Sequence, residues 1–343
     1  MSALPSVLGH TATIASLWGA LSRGALHHAI LLEGPEGVGK RLVADRIAMA
    51  ANCGGASGEL ALAGITQRPC GRCPTCRQIA AGVHPDVMVL EPDTSRAAAV
   101  IPVDAVRTVI RQAQFHRYSA AHRFVIVDPA EAMREAAANA LLKTLEEPPV
   151  GTGFLLITHN ARSLLPTIRS RCQRVRLGAV PEDQLCAWLE GRGMTQVEQI
   201  ARLALGCPGR ALELGTSALE IRTGVRDALL GILRVELGEM FAYTAKLTSG
   251  GRAAWTPRVD ALLEVIEDLL RDAVIHASRA EVPLLNQDLP HEVERWAQAL
   301  WPGGIERCTA AVQDCRDDLR VFVPGKTAVD ALLCTLRREL GPS

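Results

Sequence analysis

Residues 29 to 52 read AILLEGPEGVGKRLVADRIAMAAN: an apolar run, a glycine-rich loop and an amphipathic helical pattern in direct succession. An apolar run of this length is short for a helix and right for a strand buried on both faces. Glycine at positions 34, 37 and 39 lets the loop take backbone conformations that other residues avoid. Strand, glycine loop and helix in this order make a phosphate-binding turn. Backbone N–H groups at Gly34, Gly37 and Gly39 converge on the helix start, and Lys40 meets the phosphate charge. A chain built on such a unit is an α/β protein with this strand inside a mostly parallel sheet.

The rest of the first half agrees. Val87–Leu90, Phe124–Val127 and Phe154–Thr158 are further apolar runs of buried-strand length, and helical patterns cover Lys40–Ala51, Val103–Phe115 and Ala136–Leu145. The last of these stops before Pro148-Pro149, through which a helix cannot continue. An insertion at about residues 52–80 interrupts the alternation. From Pro181 onward strand patterns vanish. The expectation is an α/β domain over 1–178, a small helical domain over 179–215 and an all-helical domain over 216–343, with turns at Gly215-Thr216-Ser217, Ser249-Gly250-Gly251 and Pro302-Gly303-Gly304. The apolar face of VIEDLLRDAVIHA, residues 265–277, is expected to be bundle core.

Lys and Arg number 37 and Asp and Glu number 37, so the whole molecule is no electrostatic glove for nucleic acid or anionic membrane. Any DNA contact is then local or shared with partners. The first residues lack a basic start, an apolar run and a small-residue cleavage site, and no apolar stretch is long enough to span a bilayer, so a cytoplasmic, non-membrane protein is expected. Ten cysteines in such a chain are not expected to form disulfides.

Four of them are grouped. Cys70, Cys73 and Cys76 in PCGRCPTCRQ form two C-x-x-C steps sharing a middle cysteine, and Cys53 can return across a loop to complete a tetrahedral set. That suits structural Zn²⁺, because four thiolates leave no open position for a substrate water. Cys172, Cys186, Cys207, Cys308, Cys315 and Cys334 are scattered and are expected to pack.

Two parts of a hydrolytic site are missing. The hydroxyl that should follow Lys40 and ligate Mg²⁺ is replaced by Arg41. The strand RFVIVDPAEAM ends in Asp128, where a carboxylate would sit near Mg²⁺, but the neighbour that should polarise water is Pro129. Glu131 lies three residues on and is expected to turn onto the following helix. The loop either holds nucleotide without turnover or only keeps its fold. Farther along, LLPTIRSRCQRVRL sets Ser170, Arg171 and Cys172 between a helix and a strand-like segment. An arginine at such an edge can reach a phosphate on a neighbouring molecule, although a lone arginine is ordinarily a solvated surface charge.

HHAILLEGPEGVGK, CGRCPTC, HPDVMVLEP, ANALLKTLEEPP and TIRSRCQ follow one another in this order, and GCPGRAL comes next at 206–212. In these segments the first 215 residues or so resemble the clamp-loader branch of the AAA+ ATPases; the last third is similar only in being helical. The resemblance implies an AAA+ P-loop fold with a zinc-module insertion, a helical lid and a C-terminal helical collar. It implies a ring that places a sliding clamp on primed DNA during replication, as an accessory of a DNA-directed DNA polymerase. Partners would be gamma or tau ATPase subunits, the delta subunit, the clamp and the DNA.

Carried onto this chain, Arg171 becomes an arginine finger directed at the ATP and Mg²⁺ of a neighbouring gamma or tau subunit. Thr158 falls at sensor 1, Arg210 at sensor 2, and Cys53, Cys70, Cys73 and Cys76 at the zinc module. With Arg41 and Pro129 in place, the chain is expected to have no independent catalysis. Arg107 and Arg111 are candidates for DNA phosphate contact, and an exposed helix face explains them equally well. Two other readings compete. One is an active gamma- or tau-like ATPase; the other is a zinc-dependent nucleic-acid adaptor with a degenerate NTPase core.

Overall fold

The computed structural model describes residues 7–54, 69–92 and 100–341. The middle of the expected zinc module, 55–68, and the chain ends therefore lie outside the described residues. The chain divides into two compact units, Met1–Ala211 and Leu212–Ser343.

The first unit is built on a five-stranded parallel sheet: β1 Ala29–Glu33, β2 Val87–Leu90, β3 Arg123–Val127, β4 Thr152–Thr158 and β5 Gln173–Arg176, in the order β2-β3-β4-β1-β5. Every residue of β1 and β3 is buried, as strands covered on both faces require. On one face Ile30, Leu32, Phe124, Ile126, Leu155 and Ile157 pack under the helices Thr11–Ser22, Lys40–Asn52 and Pro74–Ala80. On the other, Leu31, Val125, Val127, Phe154 and Leu156 meet Val103–Gln114, Glu135–Glu146 and Pro166–Arg169. Strand ends near Glu33, Leu90, Val127 and Thr158 thus converge at one edge of the sheet, the carboxyl edge where α/β folds place ligands. Three short helices, Glu182–Glu190, Val197–Leu203 and Pro208–Glu213, complete this unit.

The second unit is helical. The long helix Arg252–Ser278 buries Leu262, Leu263, Val265, Ile266, Leu269, Leu270 and Ala273 against Trp296, Val312, Leu332 and Leu333, so the 265–277 face is bundle core as expected. Buried Arg222, on the helix Leu219–Ile232, pairs with Asp268 of the long helix. The turn expected at Gly215-Thr216-Ser217 is absent: a π-type helical turn runs over Leu214–Ala218 and continues into the helix Leu219–Ile232. A single glycine costs a helix only about 1 kcal/mol, and burial of Leu214 and Leu219 on either side outweighs it. The breaks at Ser249–Gly251 and Pro302 do separate helices. Among the described residues no helix is long and apolar enough to cross a membrane.

Candidate functional site

The glycine loop leaves β1 at the carboxyl edge and enters the helix at Lys40. Gly34, Gly37 and Gly39 all have positive φ, and Gly39 is the residue before the first helical turn. Lys40 is buried and folded back, its Nζ donating to the carbonyls of Gly34 and Pro35 at 2.7 Å each. Burial lowers its pKa, against the pull of Asp128, Glu131 and Glu36. Gly209 N donates to Gly37 O at 2.7 Å, so the start of the Pro208–Glu213 helix, which carries Arg210, rests directly on the loop.

Arg41 lies among carboxylates. Its Nε is 3.2 Å from Asp45, and its Nη1 is 2.6 Å from Glu91 and 3.2 Å from Asp128. Burial pushes the Asp128 and Asp45 carboxyls up and Arg41 holds them down, while the acids hold the guanidinium firmly charged against its own burial. A fixed cation therefore sits where a metal site would need the oxygens of Asp128 and a hydroxyl. Glu91 was not anticipated from the sequence. Its place just after β2, on the carboxyl edge, was the available signal.

Thr158 ends β4 fully buried, its Oγ1 accepting from Asn160 N, beside the start of the glycine loop: Thr158 O accepts from Gly34 N. Glu131 does not turn onto the next helix. It lies in a short 3-10 turn, and its Oε1 accepts from His159 N at 3.0 Å and lies 2.6 Å from His159 Nδ1, because the turn at Pro129 directs it back toward the end of β4.

The Sγ atoms of Cys53, Cys70, Cys73 and Cys76 all lie within 4.8 Å of one another. A tetrahedral thiolate site with Zn–S of about 2.3 Å has sulfurs about 3.8 Å apart, so a small contraction would close this set on an ion. Backbone N–H groups already point at the sulfurs: Cys70 N at Cys53, Arg72 N and Cys73 N at Cys70, and Cys76 N at Cys73. Although burial opposes it, the N–H groups of Arg72 and Cys73 bring the Cys70 thiol down to about 7. Burial pushes the Cys76 thiol the other way, up, so the case for a metal rests on four sulfurs brought together rather than on a uniformly lowered set.

Arg171 stands on the far end of the same unit from these cysteines in sequence, between Pro166–Arg169 and β5. Its Nε donates to Glu146 Oε1 at 2.6 Å, its Nη2 donates to the same oxygen, and its Nη1 donates to Thr167 O at 2.9 Å. Arg107 pairs with Asp104 and Arg111 with the Thr108 hydroxyl on an exposed helix face. Another pair was unforeseen. Buried Asp86 and Arg123 lie 3.0 Å apart; Asp86 accepts from the N–H groups of Tyr118, Ser119 and Ala120, and Arg123 donates to four carbonyls of residues 112–116. Asp86 stands in HPDVMVLEP one residue before β2, a position whose partner only the fold reveals.

A parallel sheet with a glycine loop after β1, a carboxylate ending β3, a polar residue ending β4 and a helical segment resting on the loop defines the AAA+ class of chain. A family model described as "DNA polymerase III, delta subunit" matches residues 9–181. The DNA polymerase III subunit delta' of Pseudomonas aeruginosa is 37% identical over 65% of this chain, which spans 66% of that relative, just under two thirds of its length. The Escherichia coli subunit of the same name is 32% identical over 86% of this chain and 84% of its own. The Escherichia coli DNA polymerase III subunit tau is 32% identical over 90% of this chain but only 43% of its own. The chain belongs to the DNA polymerase III delta' family of clamp-loader subunits.

Proposed function

We propose that this chain is the non-hydrolysing member of its clamp loader and acts in trans, supplying Arg171 to ATP and Mg²⁺ bound by a neighbouring gamma or tau subunit. The observation that carries the reading is the guanidinium of Arg41 lodged against Asp128. It puts a permanent charge where a working site recruits an exchangeable metal, and Pro129 leaves no base beside it. The folded-back Lys40 and the contact between Gly209 and Gly37 support the same reading. The four cysteines are a zinc staple, because their donor type and closeness suit that ion and leave it no open coordination position. The helical unit over 212–343 is the share of the collar that holds ATPase subunits and delta in one ring, a cytoplasmic assembly that works on a sliding clamp and primed DNA. Arg107 and Arg111 are this chain's candidates for phosphate contact.

Equal identity to a tau subunit favours a second reading, an active ATPase. Mg²⁺-dependent hydrolysis by the isolated chain separates the two. The expected result is no turnover above that of Lys40→Ala; turnover abolished by Lys40→Ala would establish the motor reading instead.

A further inference from the structure

We propose that Glu146 is the positioning residue for Arg171: it holds the inner edge of the guanidinium so that the outer edge faces a phosphate on the neighbouring subunit. The inference rests on the arginine-finger reading above.

A guanidinium carries five N–H donors in a planar fork. Arg171 uses Nε–H and one N–H of Nη2 on Glu146 Oε1 and one N–H of Nη1 on Thr167 O. These bonds leave one N–H on each Nη atom for a further acceptor. Two parallel donors are the arrangement that grips a phosphate through two oxygens. Without Glu146, the long side chain would sample several rotamers, and only some would present that edge.

The placement of Glu146 is otherwise costly. It is the last residue of the Glu135–Glu146 helix, where the carbonyl end carries partial negative charge and cations are favoured. Glu147 follows directly, adding a second acid at the same end. An ion pair whose side chains are 32% and 47% exposed adds little to stability. Its effect is orientation, and the supports on both sides are rigid. Leu141 and Leu145 anchor the helix in the core, and Leu145 O accepts from His28 Nε2 at 2.9 Å, tying the helix end to the residue before β1. Ile168 and Cys172 are buried on either side of Arg171.

The test uses the reconstituted loader with primed DNA. Glu146→Gln keeps the shape and removes the charge. The expected result is a DNA-stimulated kcat lowered by about tenfold, with KM for ATP changed less than about twofold. Glu146→Asp, which keeps the charge, should fall between Gln and wild type, and Glu146→Gln should add nothing in an Arg171→Ala background. Gel filtration shows whether each variant assembles. If Arg171→Ala depresses kcat and Glu146→Gln leaves it at the wild-type value in an assembled complex, the positioning role is overturned while the finger stands. If Arg171→Ala itself has no effect, the finger reading falls and this inference falls with it. An additive double variant would mean that Glu146 acts elsewhere and would also overturn the proposal.

Discussion

Arg41 Nη1 lies 3.2 Å from Asp128 Oδ2, so the residue that replaces a metal-binding hydroxyl also neutralises the carboxylate that would share the metal. The missing hydroxyl and the occupied carboxylate are therefore one structural unit, while Pro129 is a separate departure. Asp45 and Glu91 complete it, at 3.2 Å and 2.6 Å from the same guanidinium.

Replacing Arg41 by Ala leaves three carboxylates facing one another without their cation. Burial already raises the Asp45 and Asp128 carboxyls, and loss of Arg41 raises them further. A carboxyl whose folded pKa lies above its unfolded value stabilises the fold at low pH and loses that contribution as pH rises through the folded pKa. Arg41→Ala should thus cost about 1 kcal/mol at neutral pH, a modest figure because the side chain is 35% exposed. The deficit should shrink when urea melts are repeated near pH 5. On the non-hydrolysing reading proposed above, neither the variant nor the wild type should hydrolyse ATP, since Pro129 offers no base.

Asp86 behaves in the opposite sense. Burial would raise its carboxyl, but the N–H groups of Ser119, Tyr118 and Ala120 and the Arg123 guanidinium hold it down to about 2. Its folded pKa lies below the ordinary 3.8, so its contribution is full above about pH 4 and lost as pH falls toward 2. That contribution is about 2 kcal/mol. Asp86→Asn should be less stable at neutral pH by at least this amount, and its acid-unfolding limb between pH 4 and 2 should be flatter than the wild-type limb.

Much of the fold was legible because the sheet is buried on both faces and its strands stand out as apolar runs. β1 and β2 begin and end at the residues the sequence suggests. β4 starts earlier, at Thr152, since Gly153 looks like a break but fits beneath the Phe124 ring, where a Cβ would come within 2.8 Å. β5 gave little signal because it lies at the sheet edge, with Val175 its one buried residue. The cysteine cluster and the glycine loop were legible because their residues are close in sequence. Glu146 with Arg171, Arg41 with Glu91 and Asp86 with Arg123 were not, because each pair is 25 or more residues apart and meets only through the sheet order.

The glycine loop is held by its neighbours as much as by any ligand. A Cβ on Gly34 would lie 2.0 Å from Leu177 O, a backbone atom that follows β5 and cannot rotate away. Gly34→Ala should therefore cost about 3 kcal/mol or more through overpacking and strain. The measurement is the shift in urea midpoint at unchanged slope. A loss within the range of ordinary surface substitutions would show that the loop adapts.

The proposed zinc site can be tested separately from the helix that follows Cys73. Cys73 is the residue before the Pro74–Ala80 helix, and its Sγ accepts from Cys76 N at 3.4 Å, so it caps the helix and, on the proposed reading, would also be a metal donor. Serine keeps the cap, being among the best residues at that position, but is a poor zinc ligand. Cys73→Ser should therefore retain the local helix start while elemental analysis falls from about one zinc per chain to well below it. Because Cys53, Cys73 and Cys76 pack into the same core as Ile47, Ile79 and Val87, metal loss should loosen one flank of the sheet and lower Tm. Hydrogen exchange should quicken around residues 70–80 first, with β1 and β4 still protected. A wild-type chain that is fully folded and free of zinc would refute the assignment.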